Sequence, residues 1–304
     1  MNYYNEIKNK LIDNEVYKRV KDYSKNKSDL STYYEVGKLL IEAQGGEDRA
    51  KYGDNLIKEY SIKLTKEVDS KYGYRNLYNM RRFYLIFRND DFARNACKML
   101  SWTHMRELLK LNDINEINYY IDISIKQSLS YRKLNERIKS REYQRLDDNT
   151  KLKLINKEET KVSDFVKNPI VIHNKHNLDK ESISEKILQY LILEDLDNFL
   201  LELGDGFTYI RSEYKIKIGA SYNYIDLLLF NIKYNCYVVI ELKVTELKKE
   251  HIGQIEVYMN YIDKHIKTIN QDKTIGIIIS KRDNHYYIEY SSDKRILTRE
   301  YILN

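Results

Sequence analysis

Residues 222–243 read YNYIDLLLFNIKYNCYVVIELK, and the fold of the C-terminal half turns on them. Two apolar runs flank a short polar turn, and their aromatic and β-branched content is that of strands. Asp226 lies at the start of the first run, while Glu241 and Lys243 close the second. Side chains alternate along a strand, so Glu241 and Lys243 point the same way and Leu242 points into the opposite, apolar layer. If the two runs pair as a hairpin, Asp226 lies beside Glu241 across fifteen positions of sequence. Two carboxylates and one ammonium can hold a divalent metal and activate water against a phosphodiester. An E-x-K triplet alone is more often an exposed ion pair at a strand end. Here the neighbours VVI and LLLF would bury the acids, which is costly without a partner or a metal. Nuclease chemistry is the expectation.

Working outward, the C-terminal part reads as a helix over about 181–203, then strands over 207–218, 223–231 and 236–243. A helix over 249–266 and strands over 275–280 and 285–290 complete it. The glycines of LELGDGF end the first helix, where left-handed backbone is needed. This α-β-β-β-α-β order predicts a mixed sheet flanked by helices. Residues 1–145 read as helical almost throughout. Tyr33, Val36, Leu39 and Leu40 make one helical stripe, and Leu56, Ile57, Tyr60 and Leu64 another, with Asp54 as its cap. Ser130 reads as the start of a helix carrying Leu134, and the SWT at 101–103 as another start, with Trp102 and His104 in packing roles. The stretch 146–180 is polar, weakly periodic and holds the single proline, Pro169, so it reads as a linker. The expected domains are therefore 1–145, helical, and 181–304, α/β, with 146–180 between them.

Within GYRNLYNMRRFYLIF, Leu77, Met80, Tyr84 and Phe87 form an apolar stripe. Arg75, Asn79 and Arg82, at i, i+4 and i+7, form a polar one suited to phosphates and base edges. A helix-turn-helix-like reader of nucleic acid is one interpretation, and an ordinary solvated face is the other.

At 304 residues, two domains are expected, and 42% hydrophobic residues suffice for sizeable cores. A net charge of +6 permits nucleic-acid binding without demanding it. The 29 tyrosines, with many Ile, Asn and Lys, read as the imprint of an AT-rich genome. Cys97 and Cys236 lie far apart, and Cys236 begins a strand, so a buried thiol is expected rather than a disulfide or zinc ligand. His173, His176, His251 and His265 have no mutual metal-ligand spacing. No apolar run approaches the ~18 residues of a membrane helix, and MNYYNEIKNKLIDNE lacks an apolar signal core. A cytoplasmic protein with no membrane partner is expected.

The order and spacing resemble the PD-(D/E)XK nuclease superfamily, in which the first acid sits on the second strand and E-x-K on the third. Asp226 matches that acid and Glu241-Leu242-Lys243 the triplet, although Ile225 stands where the motif has proline. Gln254 and Tyr258 match the Q-x-x-x-Y extension of some members. With FLLELGDGF, YYEVGKLLIEAQ and GYRNLYNMRRFY included, the chain from about 30 to 290 is similar to YhcG-type bacterial proteins. Those couple an all-helical N-terminal domain to a restriction-endonuclease-like domain. The resemblance implies Mg²⁺, with Mn²⁺ as a substitute, held by Asp226, Glu241 and the Leu242 carbonyl. It implies that Lys243 orients water or neutralises charge on the phosphate, and that Gln254 positions water or touches the backbone. A helix acid often completes such sites, and Glu185 is the candidate, with Glu194 behind it. Tyr258 joins Arg75, Asn79 and Arg82 as expected contacts to nucleic acid, DNA by preference. Recombination, restriction or mobile-element defence are plausible settings, and a homodimer is compatible with the resemblance. The alternative is a non-catalytic nucleic-acid-binding or interaction protein that keeps the nuclease fold.

Overall fold

A computed structural model of the chain describes residues 2–20, 25–46, 54–89, 99–282 and 293–304. The chain forms two compact units, Met1–Tyr143 and Gln144–Asn304. Cys97 and the strand expected over 285–290 lie outside the described residues.

The first unit is helical among its described residues: α1 (Tyr3–Val20), α2 (Lys25–Ala43), α3 (Asp54–Glu67), α4 (Tyr74–Phe87), α5 (Trp102–Leu108), α6 (Ile114–Lys126) and α7 (Tyr131–Lys139). Side-chain caps satisfy first-turn amides that no helical carbonyl can reach: Ser101 on α5, Asp113 on α6 and Ser130 on α7. The core joins Ile7 and Leu11 of α1 to Val36 and Leu40 of α2, Ile57 and Leu64 of α3, and Leu77 and Met80 of α4. Gly37 lets α2 and α4 approach backbone to backbone: a Cβ there would meet the Met80 carbonyl oxygen at 2.1 Å. The buried stripe of α4 is Leu77, Met80, Phe83 and Phe87, so Phe83 replaces the expected Tyr84. Phe83 has no hydroxyl to satisfy, whereas Tyr84 sits half-buried against the Tyr34 ring at 5.2 Å. Trp102 packs on Tyr33 and Phe83 and donates its indole N–H to Asn76 Oδ1 at 2.8 Å, a packing role as expected.

The second unit contains α8 (Asp148–Asn156), β1 (Ile170–Ile172), α9 (Glu185–Glu194), α10 (Leu196–Leu203), β2 (Phe207–Ile218), β3 (Ser221–Asn231), β4 (Cys236–Glu246), α11 (Lys249–His265), β5 (Asp272–Arg282) and β6 (Ile296–Leu303). Among the described residues the strands form one six-stranded sheet in the order β1-β6-β5-β4-β3-β2. β2, β3 and β4 are antiparallel neighbours, and β4, β5, β6 and β1 run parallel. Val238, Ile240 and Leu242 of β4 pack with Leu188, Leu191 and Ile192 of α9. Val239, on the other face, packs with Ile255, Met259 and Ile262 of α11. Alternation thus gives the sheet two apolar layers.

Three details depart from the sequence reading. The helix expected over 181–203 is two helices, broken at Asp195 (φ −132°, ψ 52°). The Asp195 carboxylate accepts from Asn198 Nδ2 at 2.9 and 3.0 Å and pairs with His173 Nδ1 at 2.5 Å, so the side chain competes with the helical ladder. Residues 146–180, expected to join the domains, are built into the second unit: Val162, Val166, Ile170 and Ile172 lie in its core. Glu202 accepts from Val171 N at 2.9 Å and from Arg145, which holds β1 to α10. Finally, β6 was not anticipated. Its buried Arg299 donates to the carbonyls of Val166 (3.0 Å) and Thr298 (2.9 Å) and to Asp147 Oδ2 (3.1 Å).

Candidate active site

The β3–β4 pairing ends at Leu227 opposite Ile240, so Asp226 and Glu241 flank the point where the strands part. Beyond that last pair, the Leu242 N–H donates to Asp226 Oδ2 at 2.7 Å. Glu241 is only 2% exposed. Its Oε1 accepts from Lys243 Nζ at 2.9 Å, and its Oε2 is buried with no hydrogen-bond partner. Lys243 Nζ also lies 3.4 Å from Glu185 Oε2. Four groups from β3, β4 and α9 are thereby gathered at one sheet end, which adds Glu185 to the hairpin residues.

The electrostatics follow from burial and crowding. Burial, then the neighbouring Asp226 charge, push the Glu241 carboxyl up to about 7, although Lys243 opposes the shift. Asp226 is raised as well: burial leads, and the Leu242 amide and Lys243 work against it. Burial also disfavours the Lys243 ammonium, but Glu241, Glu185 and Asp226 outweigh it and hold its pKa above the usual value. Two crowded acids, Glu241 buried and Asp226 half-buried, resist sharing full charge and leave the site short of positive charge despite the Lys243 ammonium.

Glu185 is 44% exposed in its side chain and caps no metal-like cluster by itself. Glu194 sits at the far end of α9, bound to His176 at 3.0 Å, and is not part of the site. Gln254 donates to Tyr258 OH at 3.0 Å and not to a charged group of the site. Tyr258 departs from the expected nucleic-acid contact: it is 5% exposed and packs in the α11 layer, where its ring cannot meet a base. Burial raises the Tyr258 hydroxyl; the Gln254 bond lowers it and the Glu241 and Asp226 charges raise it, so it senses both acids. In the helical unit, Arg75 is exposed and Asn79 half-buried. Arg82 donates to Leu111 O and Asn112 Oδ1, each at 2.9 Å, and so ties down the segment after α5.

Two nearby residues, Gln189 and Glu213, escaped the sequence reading, and a third, His251, entered it only as a histidine without metal-ligand spacing. Gln189, one turn beyond Glu185 on α9, donates to the Asp226 carbonyl at 2.9 Å. The i, i+4 spacing from Glu185 was the available signal. Glu213 of β2 lies opposite Asp226, between the pairs Ser212–Leu227 and Tyr214–Ile225. It has φ +47°, costly for a side chain with a Cβ, and its charge pushes Asp226 upward. His251, in the first turn of α11, is held below its usual pKa by burial and then by Lys243. Nothing in the sequence marked Glu213.

Among the described residues no group of three or more His, Cys, Asp or Glu is disposed to hold a metal ion. The hard-oxygen donors present are two carboxylates, one with an unpartnered buried oxygen, together with the Leu242 backbone. That set matches a hard cation that keeps several of its own waters, and it would suit no soft metal.

A mixed sheet that sets one acid beside an E-x-K triplet, with a helix acid on the lysine, defines a nuclease domain of the PD-(D/E)XK type. Residues 163–303 match the family described as the YhcG PDDEXK nuclease domain, and residues 9–145 match the DUF1016 N-terminal domain. The first match lies within the sheet-bearing unit and the second spans most of the helical one. A similar relative is YhcG of Escherichia coli (strain K12), itself named only as a candidate nuclease. The two are 26% identical over 286 residues, covering 82% of this chain and 76% of the relative. Among solved structures, a repair endonuclease from Pyrococcus abyssi is 19% identical, over 39% of this chain and 47% of that one, with a TM-score of 0.30. EndoMS in complex with double-stranded DNA is 20% identical, over 42% of this chain and 46% of that one, with a TM-score of 0.31. This chain thus spans less than half the length of each solved relative.

Proposed function

We propose that the protein is a divalent-metal-dependent nuclease that hydrolyses phosphodiester bonds in DNA. The observation that carries this reading is the buried, unpartnered Glu241 Oε2, set beside Asp226 and Lys243 at the end of the sheet. Mg²⁺, or Mn²⁺ in its place, would be held by Asp226, Glu241 and the Leu242 carbonyl, and would supply Lewis-acid activation of water and of the phosphate. The chain's own groups then have separable tasks. The Leu242 amide fixes the Asp226 carboxylate, and Gln189 anchors its backbone. Lys243 holds one oxygen of Glu241 and presents a cation where charge grows on the phosphate. Glu185, on the solvent side of Lys243, keeps that ammonium charged and oriented. The α11 layer around Tyr258 keeps bulk water off one side of the site.

The helical unit serves as a DNA- or partner-binding domain in this reading, with the exposed Arg75 as its available phosphate contact. Recombination, restriction or defence against mobile elements are settings such an enzyme would fit.

The test is cleavage of a panel of DNA and RNA substrates with Mg²⁺, Mn²⁺ or chelator. Wild type should cut DNA only with metal, and Asp226→Ala, Glu241→Ala and Lys243→Ala should each lose ~10²-fold or more in rate. Inert wild-type protein, or variants that cut as well as wild type, would sink the proposal.

A further inference from the structure

Past Asp226, the β2–β3 hairpin runs on as a two-stranded arm, beyond the last β3–β4 pair. One side of this arm is apolar: Ile216 and Ile225 pack with the α11 layer. The other side carries two cross-strand pairs, Lys215 with Tyr224 and Lys217 with Tyr222. Paired residues share a face, and so do residues two apart on one strand, so all four side chains stand on the same surface. Tyr222 and Tyr224 are 56% and 52% exposed, and both lysines are exposed. Lys215 Nζ sits 3.8 Å from the Tyr222 ring centroid, and Lys217 Nζ 5.9 Å from the same ring. Among the described residues neither lysine is paired with a carboxylate.

A single lysine–tyrosine pair would be an ordinary cross-strand contact. Two adjacent exposed rings flanked by two lysines have a different chemistry. Aromatic faces stack on nucleobases, and ammonium groups meet the phosphates between them. Duplex bases cover one another's faces, so only unpaired bases can use such rings. Tyr224 lies two residues before Asp226, roughly 7 Å along the strand at the usual rise. The platform is therefore contiguous with the acids.

We infer that this face of the β2–β3 arm is a stacking platform for unpaired bases next to the phosphate being cut, so that the substrate class is DNA with a single-stranded segment at the cut site. The inference rests on the nuclease reading for the word "cut", but the surface can be tested without catalysis. In the full-length chain, fluorescence anisotropy in chelator would measure binding to a blunt duplex, the same duplex with an unpaired flap, and a single strand. Wild type should prefer the two DNAs with unpaired bases. The double variant Tyr222→Thr/Tyr224→Thr, which keeps strand propensity, should lose ~10-fold or more in affinity for those two. Its blunt-duplex binding should be unchanged. Lys215→Gln/Lys217→Gln should reduce the log–log salt slope on the single strand by ~1.4.

Equal binding of blunt and flapped DNA by wild type would overturn the inference. So would tyrosine variants that bind flapped DNA like wild type, or absence of binding to any DNA. Melting curves of each variant report folding separately. A chain with the expected binding pattern that cuts nothing would remove the catalytic reading and leave the platform standing.

Discussion

Glu241 has one oxygen on Lys243 and the other buried without a partner, and its carboxyl is raised from the ordinary 4.5 to about 7. The folded chain therefore holds that proton more tightly than the unfolded chain does. The resulting stability is complete below about 4.5 and is lost as pH rises through about 7. In chelator, the melting temperature of wild type should fall between pH 5 and pH 8 by more than that of Glu241→Gln, which should be the more stable protein at pH 8. On the proposed metal site, added Mg²⁺ should raise the melting temperature of wild type at pH 8 by more than that of Glu241→Gln, which lacks one of the proposed ligands. Scanning fluorimetry across pH checks both statements, and parallel pH curves for the two proteins would refute the assignment. The comparison isolates Glu241 from His251, whose shift comes from burial and Lys243, and it reads Glu241 together with the Asp226 charge beside it. At this scale the strand motif was legible, since the i, i+2 relation of Glu241 and Lys243 is local. Gln189 and Glu213 were not, because only folding brings α9 and β2 to Asp226.

Among elements, the α2–α4 contact depends on the missing side chain of Gly37. Alanine there would place its Cβ 2.1 Å from the Met80 carbonyl, a backbone atom that cannot swing away. Gly37→Ala should destabilise the helical unit by about 1–3 kcal/mol despite the better helix propensity of alanine. A thermal melt checks it, and an unchanged or raised midpoint would mean that the helices slide apart at little cost. The strands that carry the acids were readable because apolar runs between turn residues identify buried strands. β6 was not readable, because Arg299 interrupts the pattern and is satisfied by groups distant in sequence, the Val166 carbonyl and the Asp147 carboxylate. The break at Asp195 was hidden for the same reason: His173, which holds that carboxylate, comes from a distant segment.

For the whole molecule, the two units have separate cores, one built on α1–α4 and the other on both faces of the sheet. Calorimetry of the full chain should resolve two transitions. Gly37→Ala should lower one of them, and the pH-dependent shift of Glu241→Gln should appear in the other. A single transition moved equally by both substitutions would show that the units unfold together. Local periodicity and strand alternation were enough to predict a helical first part and the central strands β2 to β5 with the helix between β4 and β5, because those relations are set within a few residues of chain. Tertiary structure alone decided that Glu185 and not Glu194 reaches Lys243, that Tyr258 is core, that residues 146–180 complete the second unit, and that Glu241 keeps an unpartnered oxygen. Each of these depends on which distant segments exclude water from a given atom, and burial of that kind is a property of the packed chain.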